Sequence, residues 1–283
     1  MLLKREDVHE LGSFKWRGAL PMLGWYRDQG ATRLVTSSTG NHGAAAAWAA
    51  GKVGLEMIVF VPEGASDRKL ELLRAWGATV RVEGVDLDAT KDVARDYSKA
   101  AGAPFFEDGA ERLQYTGYES IADEIIDQLG SPPGTVIVPV GNGALLAGVG
   151  TGLARRSAMT HRVGAVPKEA PVMALSVAAG EAIECDRCNT FADGLSVRVA
   201  IPQAVEALTT ASDELVLVSE RAIAVAIGRY AGAGLRVEGA GAASLAALDQ
   251  LRSPGPVVVI VTGGNIDDDL HGRAVNDPTT FPP

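Results

Sequence analysis

Five consecutive β-branched aliphatic residues, Val257-Val258-Val259-Ile260-Val261, constrain this chain more than any other stretch. They are too few to cross a membrane as a helix and too apolar to face water, so they read as a buried strand. The strand runs into Thr262-Gly263-Gly264-Asn265, a glycine turn at its carboxyl end. In open α/β sheets that edge is where ligands bind. The same grammar recurs twice. Arg33-Leu34-Val35-Thr36-Ser37 leads into Ser38-Thr39-Gly40-Asn41-His42-Gly43 and an alanine-rich stretch over 44–50; Thr135-Val136-Ile137-Val138-Pro139-Val140 leads into Gly141-Asn142-Gly143 and a helix over 144–156. Further strands are expected over 57–61, 79–82, 162–166 and 215–218. Helices are expected over 66–76, 87–101, 117–129, 220–231 and 240–251, with Ile121, Ile125 and Leu129 four apart on one helical face. Strands alternating with helices predict parallel sheets covered by helices, the α/β class.

Composition narrows the partners. With 26 basic against 35 acidic residues in 283, the net charge is −9, a poor match for nucleic acid or an anionic membrane. A small-molecule partner is expected. No apolar run spans a bilayer, and the N-terminal Met1-Leu2-Leu3-Lys4-Arg5-Glu6-Asp7 turns charged too early for a signal peptide, so the expected location is cytoplasmic. The two cysteines, in Cys185-Asp186-Arg187-Cys188, have the spacing of half a zinc site or a redox pair, and the four histidines are scattered. A surface loop with reduced thiols is the expectation there.

The stretch Gly12-Ser13-Phe14-Lys15-Trp16-Arg17-Gly18-Ala19 frames a lysine with small and aromatic residues. Lysine amines form Schiff bases with carbonyl cofactors, notably pyridoxal phosphate, and a sheltered amine is the more readily deprotonated. The plainer alternative is a lysine that opens a helix. The turn over 38–43 sits on a helix N-terminus, where free N–H groups and the helix dipole favour a carboxylate or phosphate; an ordinary helix cap is the alternative. Gly141-Asn142-Gly143 offers a similar cradle for phosphate, although its glycine spacing matches neither the Rossmann nor the Walker pattern.

Taken together and in order, these stretches resemble the fold type II pyridoxal phosphate enzymes, the group of threonine dehydratase, serine dehydratase and serine racemase. SFKWRGA is similar to that family's Schiff-base motif, STGNHG to its asparagine loop, GNGALLAG to its phosphate loop and TGGN to its pyridine-nitrogen loop. Residues 192–198 (ADGLSVR) and 237–242 (VEGAGA) also resemble the dehydratase branch. The resemblance covers essentially the whole chain. It implies two open parallel-sheet domains with the cofactor in the cleft between them, in a version shortened at the N-terminus: a larger cofactor-binding domain of residues 1–36 and 116–283, and a smaller inserted domain of residues 37–115.

Carried over by motif, the resemblance implies that Lys15 holds pyridoxal 5'-phosphate and removes the substrate α-proton, with Phe14 and Glu238 beside the cofactor. Asn41 would meet the ring hydroxyl, the backbone of Gly141, Asn142, Gly143, Ala144 and Leu145 the phosphate, and Thr262 the ring nitrogen. Ser38, Thr39, Gly40, Asn41 and His42 would take the substrate carboxylate. Thr39 stands where racemizing relatives place a serine hydroxyl on the face opposite the lysine, and helix capping is the alternative role for it. The phosphate loop reads GNGA where many dehydratases have a run of glycines. Pro167-Lys168-Glu169-Ala170-Pro171-Val172-Met173 lacks the acidic residues that bind a divalent metal in some relatives, so no metal is expected.

The reaction implied is β-elimination from a small hydroxyamino acid, L-threonine or L-serine, to a 2-keto acid and ammonia. A hydroxyl at the ring nitrogen does not demand a protonated ring, which suits elimination better than transamination. The alternatives are an amino-acid racemase, a threonine synthase-like replacement enzyme, and a non-catalytic cofactor-binding descendant. A homodimer is the expected assembly.

Overall fold

The computed structural model describes residues 1–186, 188–252 and 255–283. In chain order the elements are β1 (Leu2–Arg5), α1 (Trp16–Asp28), β2 (Arg33–Ser37), α2 (Asn41–Val53), β3 (Glu56–Val61), α3 (Asp67–Ala75), β4 (Thr79–Val82), α4 (Leu87–Ala101) and α5 (Arg112–Leu129). There follow β5 (Thr135–Pro139), α6 (Ala144–Arg156), β6 (His161–Pro167), α7 (Val172–Ala179), α8 (Pro202–Ala211), β7 (Glu214–Val218), α9 (Glu220–Gly232), α10 (Gly239–Leu248), β8 (Val257–Val261) and α11 (Asp268–Asn276). The mixed α/β class expected from the alternation is what the chain adopts. Its contacts divide it into one unit of Met1–Phe14 with Tyr118–Pro283, and another of Lys15–Gly117. Residues 15–36, expected with the larger domain, group with the smaller unit because α1 packs along α2.

The larger unit holds a five-stranded sheet in the order β1-β8-β5-β6-β7, and every pairing is parallel. Strand β5 is buried at every position, as a strand covered on both faces must be. Helix α10 (GAGAASLAAL) is buried from Gly239 to Ala247 and packs on β5, β6, β7 and β8. Its small residues all round the helix suit a position in which no side faces water. The edge strand β1 was not expected from the sequence. It has four residues with charges at its end, yet it pairs in register with β8 from Leu2 opposite Val258 to Arg5 opposite Val261. Lys4 is buried there because Glu6 (3.3 Å) and Glu124 neutralise it.

Helices α7, α8 and α11 were also unforeseen. Helix α7 is short and apolar without a helical period, while α8 opens with Pro202 at its first turn, where the missing N–H costs nothing. Helix α5 begins at Arg112 rather than 117, and α10 ends at Leu248 rather than 251, its chain leaving through turns at Gln250 and Leu251.

The smaller unit is a parallel three-stranded sheet, β2-β3-β4, with α1 on α2 and with α2 and α4 against the sheet. Val35, Ile58, Phe60, Ala94 and Ala103 form its core. Helix α1 tolerates Pro21 in its interior. The proline cannot donate to the carbonyl of Arg17, and Gly117 lies so close to that oxygen that a Cβ would sit 2.0 Å from it.

Two glycines test how tightly each unit is packed. A Cβ on Gly150 of α6 would lie 1.9 Å from the Ala211 carbonyl oxygen, whereas one on the exposed Gly51 of α2 meets nothing within 4 Å. Gly150→Ala is therefore expected to destabilise by about 1–3 kcal/mol or more through forced backbone movement. Gly51→Ala should stabilise by roughly 0.5–1 kcal/mol through helix propensity. Denaturant midpoints of the two variants check the contrast, and a Gly150→Ala protein as stable as the parent would refute the close approach.

Candidate active site

Lys15 occupies the N-cap of α1, and its side chain is 12% exposed. Its Nζ donates to both carboxylate oxygens of Asp108, at 2.6 and 2.9 Å. Asp108 lies on the loop that precedes α5, and that loop is held from three sides. The Gly109 N–H donates to Gln114 Oε1 (2.8 Å), Gln114 Nε2 donates to the Glu107 carbonyl (2.8 Å), and the Tyr115 hydroxyl donates to the Gly109 carbonyl (2.6 Å). Burial pushes the Tyr115 hydroxyl up to about 12, so it stays a donor. Burial alone would raise the neighbouring Glu107 carboxyl, but Lys91 and Arg95 outweigh it and hold the group below its ordinary range.

His42, the second residue of α2, reaches the same cluster. Its Nδ1 is 3.5 Å from Asp108 Oδ1, and its Nε2 is 3.1 Å from Thr36 Oγ1 and 3.3 Å from the Phe106 carbonyl. The Thr36 hydroxyl donates to that same carbonyl at 2.7 Å, and the imidazole lies 4.7 Å from the Phe106 ring. Burial lowers the His42 pKa, which Asp108 only partly offsets.

The turn between β2 and α2 contains the expected Ser38, Thr39, Gly40 and Asn41. Gly40 takes the cap position of α2, where no side-chain cap hydrogen bond is made; its N–H donates to Ser38 Oγ at 3.2 Å. Thr39 is thus not the cap residue, and the dipole of α2 still favours an anion near its N-terminus. Gly43 is required next to this turn because a Cβ there would lie 2.7 Å from the Ser38 carbonyl. The smaller unit therefore brings together Lys15, His42 and Asp108. The last of these was missed from sequence. Its only signal is an acidic pair, Glu107-Asp108, directly after the apolar Phe105-Phe106.

In the larger unit, β5 ends in Gly141-Asn142-Gly143, and Gly143 caps α6 in the left-handed region (φ 89°) that favours glycine. A Cβ on Gly141 would lie 2.9 Å from the Gly194 carbonyl. The loop is thus a glycine cradle on a helix N-terminus. One of its amides is already engaged, since the Ala144 N–H donates to Asn142 Oδ1 at 3.1 Å.

Strand β8 leads directly into Thr262, whose backbone carbonyl accepts from the Phe14 N–H (3.0 Å). Ser13 bridges Gly263, the Gly264 N–H donates to the Gly12 carbonyl (3.0 Å), and Asn265 Nδ2 donates to the Leu11 carbonyl (2.8 Å). Residues 11–14 are thereby strapped along the turn, and the Phe14 ring lies 5.1 Å from Tyr118. Glu238, buried at the cap of α10, braces the same turn: its carboxylate accepts the Asn265 N–H (3.2 Å) and its own N–H donates to the Gly263 carbonyl (3.1 Å).

The Thr262 hydroxyl is buried without a hydrogen-bond partner among the described residues. An unsatisfied buried hydroxyl costs on the order of 1–3 kcal/mol, so it fits a polar atom that the polypeptide itself does not provide, such as a heterocyclic nitrogen. Together with the glycine cradle, this donor set suits pyridoxal phosphate. The described residues contain no group of three or more His, Cys, Asp or Glu side chains able to hold a metal ion, and no helix among them is long and apolar enough to cross a membrane. Cys185 and Cys188 are free thiols, and Arg187 between them lies outside the described residues. Burial raises the Cys188 thiol pKa, which makes it a poor nucleophile.

The family model described as pyridoxal-phosphate dependent enzyme matches residues 1–263. The biosynthetic L-threonine dehydratase of Mycobacterium bovis is 34% identical over 282 residues, covering 96% of this chain and 66% of that protein. The L-threonine ammonia-lyase of Geobacter sulfurreducens is 32% identical, covering 93% of this chain and 67% of its own length. This chain thus spans about two thirds of the length of these curated relatives. Among solved structures, the processed form of threonine deaminase isoform 2 from Solanum lycopersicum superposes with a TM-score of 0.91 at 28% identity, covering 96% of this chain and 81% of that one. Maize serine racemase gives a TM-score of 0.88 at 26% identity, covering 98% and 87%. The parallel α/β fold, the glycine cradle and a family match over nearly the whole sequence agree: this chain belongs to the pyridoxal-phosphate dependent enzyme family, in its fold type II branch.

Proposed function

We propose that the chain is a lyase that eliminates the β-hydroxyl of L-threonine or L-serine, releasing a 2-keto acid and ammonia. The observation that carries this reading is the buried, unpartnered hydroxyl of Thr262. A hydroxyl at the ring nitrogen leaves the ring a moderate electron sink, which favours a reaction that discharges its electrons onto a leaving group. The names of the relatives, threonine dehydratase and threonine ammonia-lyase, support the same reaction class.

When bound, the cofactor supplies a carbonyl for the substrate nitrogen and a conjugated ring that accepts the electron pair left by the α-proton. The polypeptide does the rest. Backbone amides at residues 141–145, at the positive end of the α6 dipole, hold the phosphate. The Asn41 side chain meets the ring hydroxyl, and Thr262 meets the ring nitrogen. Phe14 and Glu238 keep the Thr262–Asn265 turn in place by their backbone and carboxylate hydrogen bonds. Amides of the turn over Ser38–His42 hold the substrate carboxylate at the α2 N-terminus and so orient the α-proton. Lys15 takes that proton as a neutral amine. The β-hydroxyl takes up the proton gained by Lys15 and departs as water, and the released enamine hydrolyses to keto acid and ammonia.

A second reading, racemization, rests on Thr39. Its hydroxyl is not spent on the cap position of α2, which belongs to Gly40, and so it could return a proton to the opposite face. The added methyl of threonine restricts its rotamers, and elimination is therefore ranked first.

Three outcomes are expected. Borohydride reduction followed by peptide mapping should place a pyridoxyl group on Lys15, and finding it on another lysine, or on none, sinks the assignment. Incubation with pure L-serine should give pyruvate well in excess of D-serine, with Thr39→Ser raising the D-serine share; D-serine formed faster than pyruvate would reverse the ranking. Replacing Thr262 with valine removes an unsatisfied hydroxyl at nearly constant volume. The cofactor-free protein should keep its stability, while cofactor affinity falls about tenfold, the worth of one hydrogen bond of roughly 1.4 kcal/mol. Unchanged affinity in a fluorescence titration would count against Thr262 as a cofactor contact.

A further inference from the structure

A lysine that serves as a base must gain and lose a proton on every cycle, and the charge it carries in between has to be balanced. Lys15 Nζ is held by Asp108 at 2.6 and 2.9 Å, in a position where both side chains are more than half buried. The carboxylate is thus the counter-ion set against this amine, and a base placed here needs a group that can take its proton. Behind Asp108 stands His42, and its hydrogen bonds determine which of its nitrogens faces the carboxylate.

The argument runs through hydrogens. The Thr36 hydroxyl spends its hydrogen on the Phe106 carbonyl at 2.7 Å, so it presents a lone pair to His42 Nε2 at 3.1 Å. The Phe106 carbonyl, 3.3 Å from the same nitrogen, is an acceptor as well. Two acceptors around Nε2 fix the hydrogen there. In the neutral ring Nδ1 is then a bare lone pair, 3.5 Å from Asp108 Oδ1. Burial favours that neutral ring. Two acceptors facing each other repel, and a proton placed between them relieves the repulsion.

The charged groups around His42 are Asp108, Lys15 and Lys91. Lys91 is matched by Glu107, which Arg95 also contacts, and Asp108 is the group that touches both Lys15 and His42.

We propose that Asp108 and His42 are positioning residues that hold the proton of Lys15. When Lys15 is an ammonium, the Asp108 carboxylate balances it. When Nζ gives up a proton, that proton passes to Asp108 and is shared between Oδ1 and His42 Nδ1, so the cluster keeps the same net charge and Lys15 stands as a neutral amine. The inference rests on the proposed role of Lys15 as the base, and it adds the groups that set its protonation.

The test reads the chemistry of one amine. The whole 283-residue chain, freed of cofactor, is treated at neutral pH with limiting acetic anhydride, which acylates only the neutral amine, and labelling of Lys15 is measured by peptide mapping against Lys52 as internal standard. Asp108→Asn removes the counter-ion of the ammonium, and Lys15 labelling should rise several-fold. His42→Gln removes the group that shares the proton, and labelling should fall several-fold. Thr36→Val, which loosens the ring that Thr36 orients, should lower labelling in the same direction and serves if His42→Gln does not fold. Opposite directions are the signature of the proton-holding pair; a purely structural role would move the variants together. Changes in the same direction, or none, overturn the proposal. Borohydride trapping on the cofactor-loaded variants separates the two levels: loss of the pyridoxyl mark from Lys15 sinks the functional reading, while the labelling contrast decides this one.

Discussion

Parallel pairing of β5 with β8, Thr135 opposite Val257 through Ile137 opposite Val259, is the constraint on which the larger unit depends. Neighbouring strands in a sheet lie only about 4.8 Å apart, and parallel strands end on the same edge. The glycine cradle after β5 and the Thr262 turn after β8 are therefore brought side by side by backbone hydrogen bonds alone, before any side chain is considered. The same edge receives the segment that follows β1, and its residues 11–14 then lie along the Thr262 turn. A helix covered on every side, α10, is what allows the sheet to bury its strands. Glu238 at the head of that helix converts the packing into a fixed position for the turn.

Much of this was legible in the sequence because the signals are local. The β8 run, the β5 run and the alanine-rich α2 each declare their environment through uniform apolarity, and glycines mark where backbone must approach backbone. What escaped was set by partners distant in sequence. Strand β1 carries Lys4 in a buried position, which no propensity allows until Glu6 and Glu124 are seen beside it. Helix α1 groups with the smaller unit through its packing on α2, a fact that neither helix states alone. Asp108 is 93 residues from Lys15, and only the folded loop, tied by Gln114 and Tyr115, presents its carboxylate to the amine.

The neighbours divide between enzymes named as deaminases or ammonia-lyases and enzymes named as serine racemases, at similar structural likeness. That division is physically reasonable. A shared fold fixes the glycine cradle after β5, the helix that Lys15 opens and the turn after β8, whereas under the proposed function the choice between losing a hydroxyl and returning a proton would depend on a few atoms on one face. Thr39 differs from a serine by a single methyl, and such a group alters rotamer preference without altering the fold.

Asn142 gives the cradle a further property. Its side-chain oxygen already accepts the Ala144 N–H, so the loop carries an acceptor of its own in the place where an anion would dock. If the loop holds a phosphate as proposed, docking there exchanges one internal hydrogen bond for contacts to the ligand.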